Sequence, residues 1–195
     1  MNVIGILAGM GPKSTAPFVE KVVDLCQQRH GAKNDMDFPP MMIYSCPTPF
    51  YLDRPLDHFA MQKSIVAGAA KLASCGVSYI AIPCNVAHIY YECIRSSLAV
   101  PVLNMVDETI KRIPENEKKV TVLATESTVA AEIYQQGLKH FNKEFVFMPR
   151  WQATITHILH LIKGGKDSGE VKNLWNELLR DVNQFVSVGI SLALT

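Results

Sequence analysis

Apolar positions along the chain switch repeatedly between two patterns. Short, β-branched apolar runs of strand length occur at 3–7, 41–45, 77–82, 100–105, 120–124 and 145–148, and another begins at Gly189 and runs to Leu194. Between them the apolar residues take helical spacing. Phe18, Val22 and Leu25 share one face of a helix expected over 14–29, and Ile65, Ala69, Leu72 and Ala73 mark another that stops at Gly76. A helix is expected over 86–98. Val129, Ile133 and Phe141 lie on a helix opening at residue 125; Ile155, Ile158, Leu159 and Ile162 follow, then Val171, Leu174, Trp175, Leu178, Val182 and Phe185. A continuous apolar run bounded by turn residues reads as a strand buried on both faces, and i, i+3, i+4 spacing as a helix with one face in a core. Their alternation predicts an α/β protein with parallel sheets.

The grammar breaks once, at 114–119, where a proline and charged residues interrupt it, and then restarts. This places a first domain at 1–113 and a second at 114–195. The two halves share the order strand, loop, helix, which points to an internal duplication. Cys75-Gly76-Val77-Ser78-Tyr79-Ile80-Ala81-Ile82 resembles Val188-Gly189-Ile190-Ser191-Leu192-Ala193-Leu194. The first copy runs on into Pro83-Cys84-Asn85. In the second, the corresponding cysteine would fall one or two positions after Thr195. The second domain is therefore expected to be incomplete at its C-terminal end, with a strand that no helix covers.

Composition narrows the partners. Of 195 residues, 48% are hydrophobic and 19% charged, enough apolar material for a sizeable core. The formal net charge of +1 gives no general attraction to nucleic acid or to an anionic membrane surface. No segment has the length and apolarity to span a bilayer, and the first ten residues lack the charge of a signal peptide. The five cysteines form no CxxC pair, which argues against a zinc site or redox couple and for free thiols in the cytoplasm.

In open α/β sheets ligands bind at the carboxyl ends of the strands. The loops at 8–15, 83–88 and 124–128 are expected there, each opening a helix whose N–H groups could meet a small carboxylate. The glycine loop 8–15 alone is compatible with a plain tight turn or with binding. Cys84 follows a buried strand and precedes a helix, a setting that favours thiolate; a buried packing cysteine is the alternative. Asn85 can bond a substrate carboxylate or cap the helix. His88, one turn on, can tune the thiol or sit on the helix surface. Cys26, Cys75 and Cys93 read as packing residues, and Cys46, after a strand, stays open.

Three motifs, in order and spacing, resemble the aspartate/glutamate racemase family: Ile4-Gly5-Ile6-Leu7-Ala8-Gly9-Met10-Gly11-Pro12, Pro83-Cys84-Asn85-Val86-Ala87-His88, and Leu123-Ala124-Thr125-Glu126-Ser127-Thr128. The resemblance implies two pseudo-symmetric parallel-sheet α/β domains with the active site in the cleft between them. It also implies a cofactor-independent racemase that forms a homodimer, binds an amino acid or small dicarboxylate, and needs no metal. Cys84 is then one of two catalytic cysteines; the family places the other in a C-T-E segment that these 195 residues do not contain, and without it they are not expected to racemise efficiently. Met10, Arg54, Asn85, Val86, Ser127, Thr128 and Lys163 fall at or near family substrate positions. The sequence departs from the family at Val86, where threonine is usual, and at Ser127 and Ala8, where glycine is. Single-cysteine relatives of the arylmalonate decarboxylase or maleate isomerase type, and a degenerate dicarboxylate-binding protein, are the alternatives. One cysteine suffices to protonate a carbanion from one face.

Overall fold

The computed structural model describes residues 2–51, 53–165, 168–186 and 188–191. The chain divides into two compact units, one up to Met105 and one from Val106.

The first unit contains β1 (Ile4–Ala8), α1 (Thr15–His30), β2 (Met41–Ser45), α2 (His58–Ser74), β3 (Tyr79–Ala81) and α3 (Tyr91–Ser96). Its sheet is parallel in the order β2-β1-β3. β1 is central and reads Ile-Gly-Ile-Leu-Ala because neighbouring strands and packed side chains shut out water; Ile6 and Leu7 are fully buried. α2 lays Met61, Ile65, Ala69 and Leu72 into the same core as Leu7, Ile80 and Ile82. Gly68 lets it come close, since a Cβ there would lie 2.9 Å from Cys46 Sγ and 3.1 Å from Leu7 Cδ1. The helix opens on Asp57, whose Oδ1 accepts from the Ala60 amide at 2.9 Å, a cap worth about 1 kcal/mol.

The second unit contains α4 (Met105–Ile110), which begins on the last residue of the first unit, then β4 (Lys119–Leu123), α5 (Glu126–Ala130), α6 (Ile133–His140), β5 (Glu144–Phe145), α7 (Pro149–Lys163), α8 (Ser168–Val182) and β6 (Val188–Ser191). Its sheet is also parallel, in the order β5-β4-β6. Both sheets thus place their first strand in the middle, the second on one side and the third on the other. This is the duplication that the sequence grammar pointed to. Val120 and Val122 pack with Tyr134 and Leu138, whereas Leu123 packs with Trp151, Ile155, Leu178 and Val182. Consecutive residues of β4 therefore serve opposite faces, as the pleat requires.

Several expectations shift. The first unit ends at Met105 rather than at residue 113. Val106 and Ile110 of α4 are buried with Val120 and Tyr134, so their apolar area belongs to the second core, and the Pro114 break is an internal loop of that unit. The strand expected at 100–105 reduces to a single bridge between Ile80 and Val102. The helix expected from residue 125 is two helices, α5 and α6, broken at Glu132, whose φ is 55°. The break rotates Phe141 off the packed face, and it is 47% exposed. No residue of α1 is fully buried; Phe18, Val22 and Leu25 are half-buried. The strand expected to reach Leu194 is present as β6, and residues 192–195 lie outside the described residues.

Candidate active site

Parallel strands send their following loops to one edge. β1, β2 and β3 accordingly bring the Gly9–Ser14 loop, Cys46 and Cys84 to the carboxyl edge of the first sheet. Gly9 holds the first loop in place. Its φ is +88°, and a Cβ would lie 2.6 Å from the Cys46 amide nitrogen and 2.7 Å from Ser45 Oγ. Only glycine meets both conditions. The Gly9 N–H donates to Thr15 Oγ1 at 3.3 Å and Ser14 Oγ donates to the Gly11 carbonyl at 2.7 Å, which braces Met10 from both sides. Met10 is half-buried against the first core.

Cys84 also rests half-buried on that core. Its N–H donates back to the Ile82 carbonyl at 2.8 Å, a tight turn that ends the strand. Its carbonyl meets His88 Nδ1 at 2.8 Å. Asn85 follows, half-buried, and its carbonyl accepts the His88 N–H at 2.9 Å. Val86 is buried in the core cluster, so its side chain serves packing in this unit. His88 is buried too, not on a helix surface.

Cys46, the other cysteine at this edge, is a different kind of residue. It is buried, with Sγ 3.6 Å from the Ser64 carbonyl. Burial pushes its thiol pKa up, against a smaller downward pull from Lys71. It stays a protonated thiol at neutral pH and packs beneath Gly68. Cys26 is half-buried, and Cys75 and Cys93 are exposed at or near helix ends.

At the carboxyl end of β4, Thr125 caps α5. Its Oγ1 lies 3.3 Å from the Thr128 amide and 2.9 Å from Thr128 Oγ1. Thr128 is buried and Ser127 half-buried. α7 supports this corner from residues that the apolar pattern did not single out. Gln152 Nε2 donates to the Ala124 carbonyl at 3.1 Å, and Thr156 Oγ1 donates to Glu126 Oε1 at 3.2 Å. Their i, i+4 spacing on a helix that buries Trp151, Ile155 and Ile158 was the available signal. Lys163, in the last turn of α7, is exposed and about 10 Å further along the helix than Thr156.

Helix dipoles are less developed here than the loop positions suggest. The Cys84 loop opens a 3-10 turn, Val86–Tyr90, and the Thr125 loop opens the five-residue α5. Only the first loop leads, through a short 3-10 turn at Pro12–Ser14, into a long helix, the 16-residue α1. Arg54 lies in the loop before α2 and is exposed. Its guanidinium is engaged by Asp53, at 3.3 Å from Oδ1, and stands 4.3 Å over the Tyr51 ring. An exposed pair of this kind holds the side chain weakly.

Comparison with known proteins gives a consistent result. The Asp/Glu/Hydantoin racemase family profile matches residues 7–190. The broad specificity amino-acid racemase RacX of Bacillus subtilis (strain 168) is 50% identical over 188 residues, covering 96% of this chain and 83% of that protein. Among solved structures, an aspartate racemase of Picrophilus torridus superposes with a TM-score of 0.80 at 25% identity, over 97% of this chain and 79% of that one. An aspartate racemase homologue of Pyrococcus horikoshii OT3 superposes with a TM-score of 0.75 at 21% identity, over all of this chain and 86% of that one, and bears on the fold alone. The paired parallel sheets, the Cys84 loop and these matches make this chain a member of the Asp/Glu/hydantoin racemase family.

Proposed function

We propose that this protein is an amino-acid racemase that works without pyridoxal phosphate, with Cys84 as the acid/base on one face of the substrate. The observation that carries the reading is the placement of Cys84. It is a half-buried thiol on a tight turn at the carboxyl end of a parallel strand, beside the Met10 loop, in a chain half identical to an amino-acid racemase. In the reaction the Cα–H bond breaks and its proton passes to the Cys84 thiolate. The electron pair delocalises onto the substrate carboxylate, where N–H and hydroxyl donors stabilise it. A proton then returns from the opposite face. A second acid must supply it; the family resemblance gives that role to a second cysteine, which is none of the five at 26, 46, 75, 84 and 93. Asn85, Ser127, Thr128, Lys163, Arg54 and the Met10 loop are proposed to hold the carboxylates. The name of the Bacillus subtilis relative supports a range of amino acids rather than aspartate alone.

The test is α-proton exchange. L- and D-forms of aspartate, glutamate and a panel of neutral and basic amino acids are incubated in D2O without pyridoxal phosphate and followed by NMR. The expected result is exchange with at least one amino acid, abolished by Cys84→Ala. Exchange that survives Cys84→Ala, or none with any amino acid, would overturn the proposal. In the latter case, carbon dioxide release from a 2-arylmalonate would point to single-cysteine chemistry.

A further inference from the structure

The His88 ring bonds the Cys84 carbonyl on one side and the Met105 amide on the other. Over Val86–Tyr90 the backbone is a 3-10 turn, so the His88 N–H bonds the Asn85 carbonyl, three residues back, at 2.9 Å. In an α-helix that N–H would go to the Cys84 carbonyl. The imidazole takes its place, with Nδ1 2.8 Å from that carbonyl oxygen. On the other side of the ring, Nε2 lies 3.1 Å from the Met105 backbone nitrogen. An amide N–H can only donate, so Nε2 must accept, and the proton must be on Nδ1, which donates to Cys84. The ring is therefore neutral in this arrangement; an imidazolium would turn a second N–H against that of Met105.

The surroundings hold the ring. His88 is 5% exposed. Tyr91 stacks on it, with centroids 6.1 Å apart and planes within 4°, and Tyr91 Oη donates to the Val102 carbonyl at 3.1 Å. Val102 in turn lies beside β3: the Ile80 N–H donates to the Pro101 carbonyl and the Leu103 N–H to the Ile80 carbonyl, each at 2.9 Å. The strand before Cys84, the turn after it and the 101–105 segment thus form one closed set of hydrogen bonds, and His88 joins its last two members. Met105 is where the chain passes into the second unit.

We propose that His88 is a positioning residue for the Cys84 thiol, acting as a neutral backbone-to-backbone strut and not as a base that meets substrate. This rests on the reading of Cys84 as the acid/base group. Buried, with each nitrogen engaged by a main-chain group, the imidazole acts on the substrate only through the cysteine. A shift of the Cys84 loop by about 1 Å would be felt chiefly in turnover.

The test compares His88→Phe, His88→Asn and His88→Gln in the full chain. Phenylalanine fills the space and removes both bonds. Asparagine places its amide N–H where Nδ1 was and keeps the bond to Cys84; glutamine reaches the Nε2 position and keeps only the acceptor for Met105. Two readouts are taken: kcat and KM for exchange, and the pH midpoint of Cys84 alkylation by iodoacetamide, read peptide by peptide with Cys46 as internal reference. The expected result for His88→Phe is a kcat about tenfold or more lower, with KM little changed, and a displaced Cys84 midpoint. His88→Asn should recover most of both and His88→Gln little. A His88→Phe protein with wild-type kcat and midpoint would overturn the proposal. So would losses in Asn and Gln variants that track only the folded fraction, a comparison that holds even where the Phe variant fails to fold. The alkylation midpoint does not depend on turnover. If the wild type exchanges no amino acid, the racemase reading fails, while an unshifted midpoint in His88→Phe would separately sink the strut.

Discussion

Trp151 Nε1 donates to Asp181 Oδ2 at 2.8 Å, tying the start of α7 to the end of α8. Arg150 closes on the same carboxylate through Nε at 2.6 Å and Nη2 at 2.9 Å. The indole is buried beside Leu123, so this clamp seats the helix pair on β4, whose carboxyl end carries the Thr125 loop.

The Arg150 guanidinium, and after it the Trp151 indole, hold the Asp181 carboxyl below the usual carboxylate range. A depressed carboxylate adds stability above its unfolded value of about 3.9, and loses it as pH falls through the folded value. Asp181→Asn should therefore lower the thermal midpoint at pH 7 and flatten its decline in acid. Scans of both proteins from pH 7 to pH 3 check this. Parallel curves would count against it.

Cys46→Ala separates the two cysteines of the first sheet edge. The buried thiol is held protonated, so its loss should leave exchange intact while costing roughly 1–2 kcal/mol from the small cavity beneath Gly68. Urea unfolding and the exchange assay, run on one preparation, read both quantities. An exchange rate as low as that of Cys84→Ala would give Cys46 a chemical role.

Gly9→Ala should be among the most damaging single changes. The new methyl would enter a left-handed φ and press on the Cys46 amide, for a cost of more than about 2 kcal/mol. A wild-type unfolding midpoint for this variant would show that the loop relaxes freely.

Thr125→Ala removes the oxygen that meets both the amide and the hydroxyl of Thr128. The expected loss is about 1 kcal/mol of stability. If the Ser127–Thr128 corner holds a substrate carboxylate, KM for exchange should also rise, whereas a change in stability alone would make Thr125 only a cap.

Much of the fold was legible in local pattern. β1, β2 and β4 lie where continuous apolar runs predict them, and α2 where Ile65, Ala69 and Leu72 share a face ahead of Gly76. Burial by strand or helix imposes a period, and a period is written in sequence. Cys84 was singled out by its place after such a strand. Breaks between elements were harder to read. Nothing near Glu132 marks the left-handed residue that divides α5 from α6, because no glycine or proline stands there.

By itself, then, the sequence determined the alternation of strands and helices, the shared order of the two halves and the family, and it singled out Cys84. All of these rest on residue type and spacing. Tertiary structure alone decided to which core Val106 and Ile110 belong, that Cys46 is a packing thiol, and that His88 spans from Cys84 to Met105. Such facts depend on which groups, distant along the chain, share a desolvated space, where a donor must find an acceptor and an apolar side chain must find cover. No local pattern records that pairing.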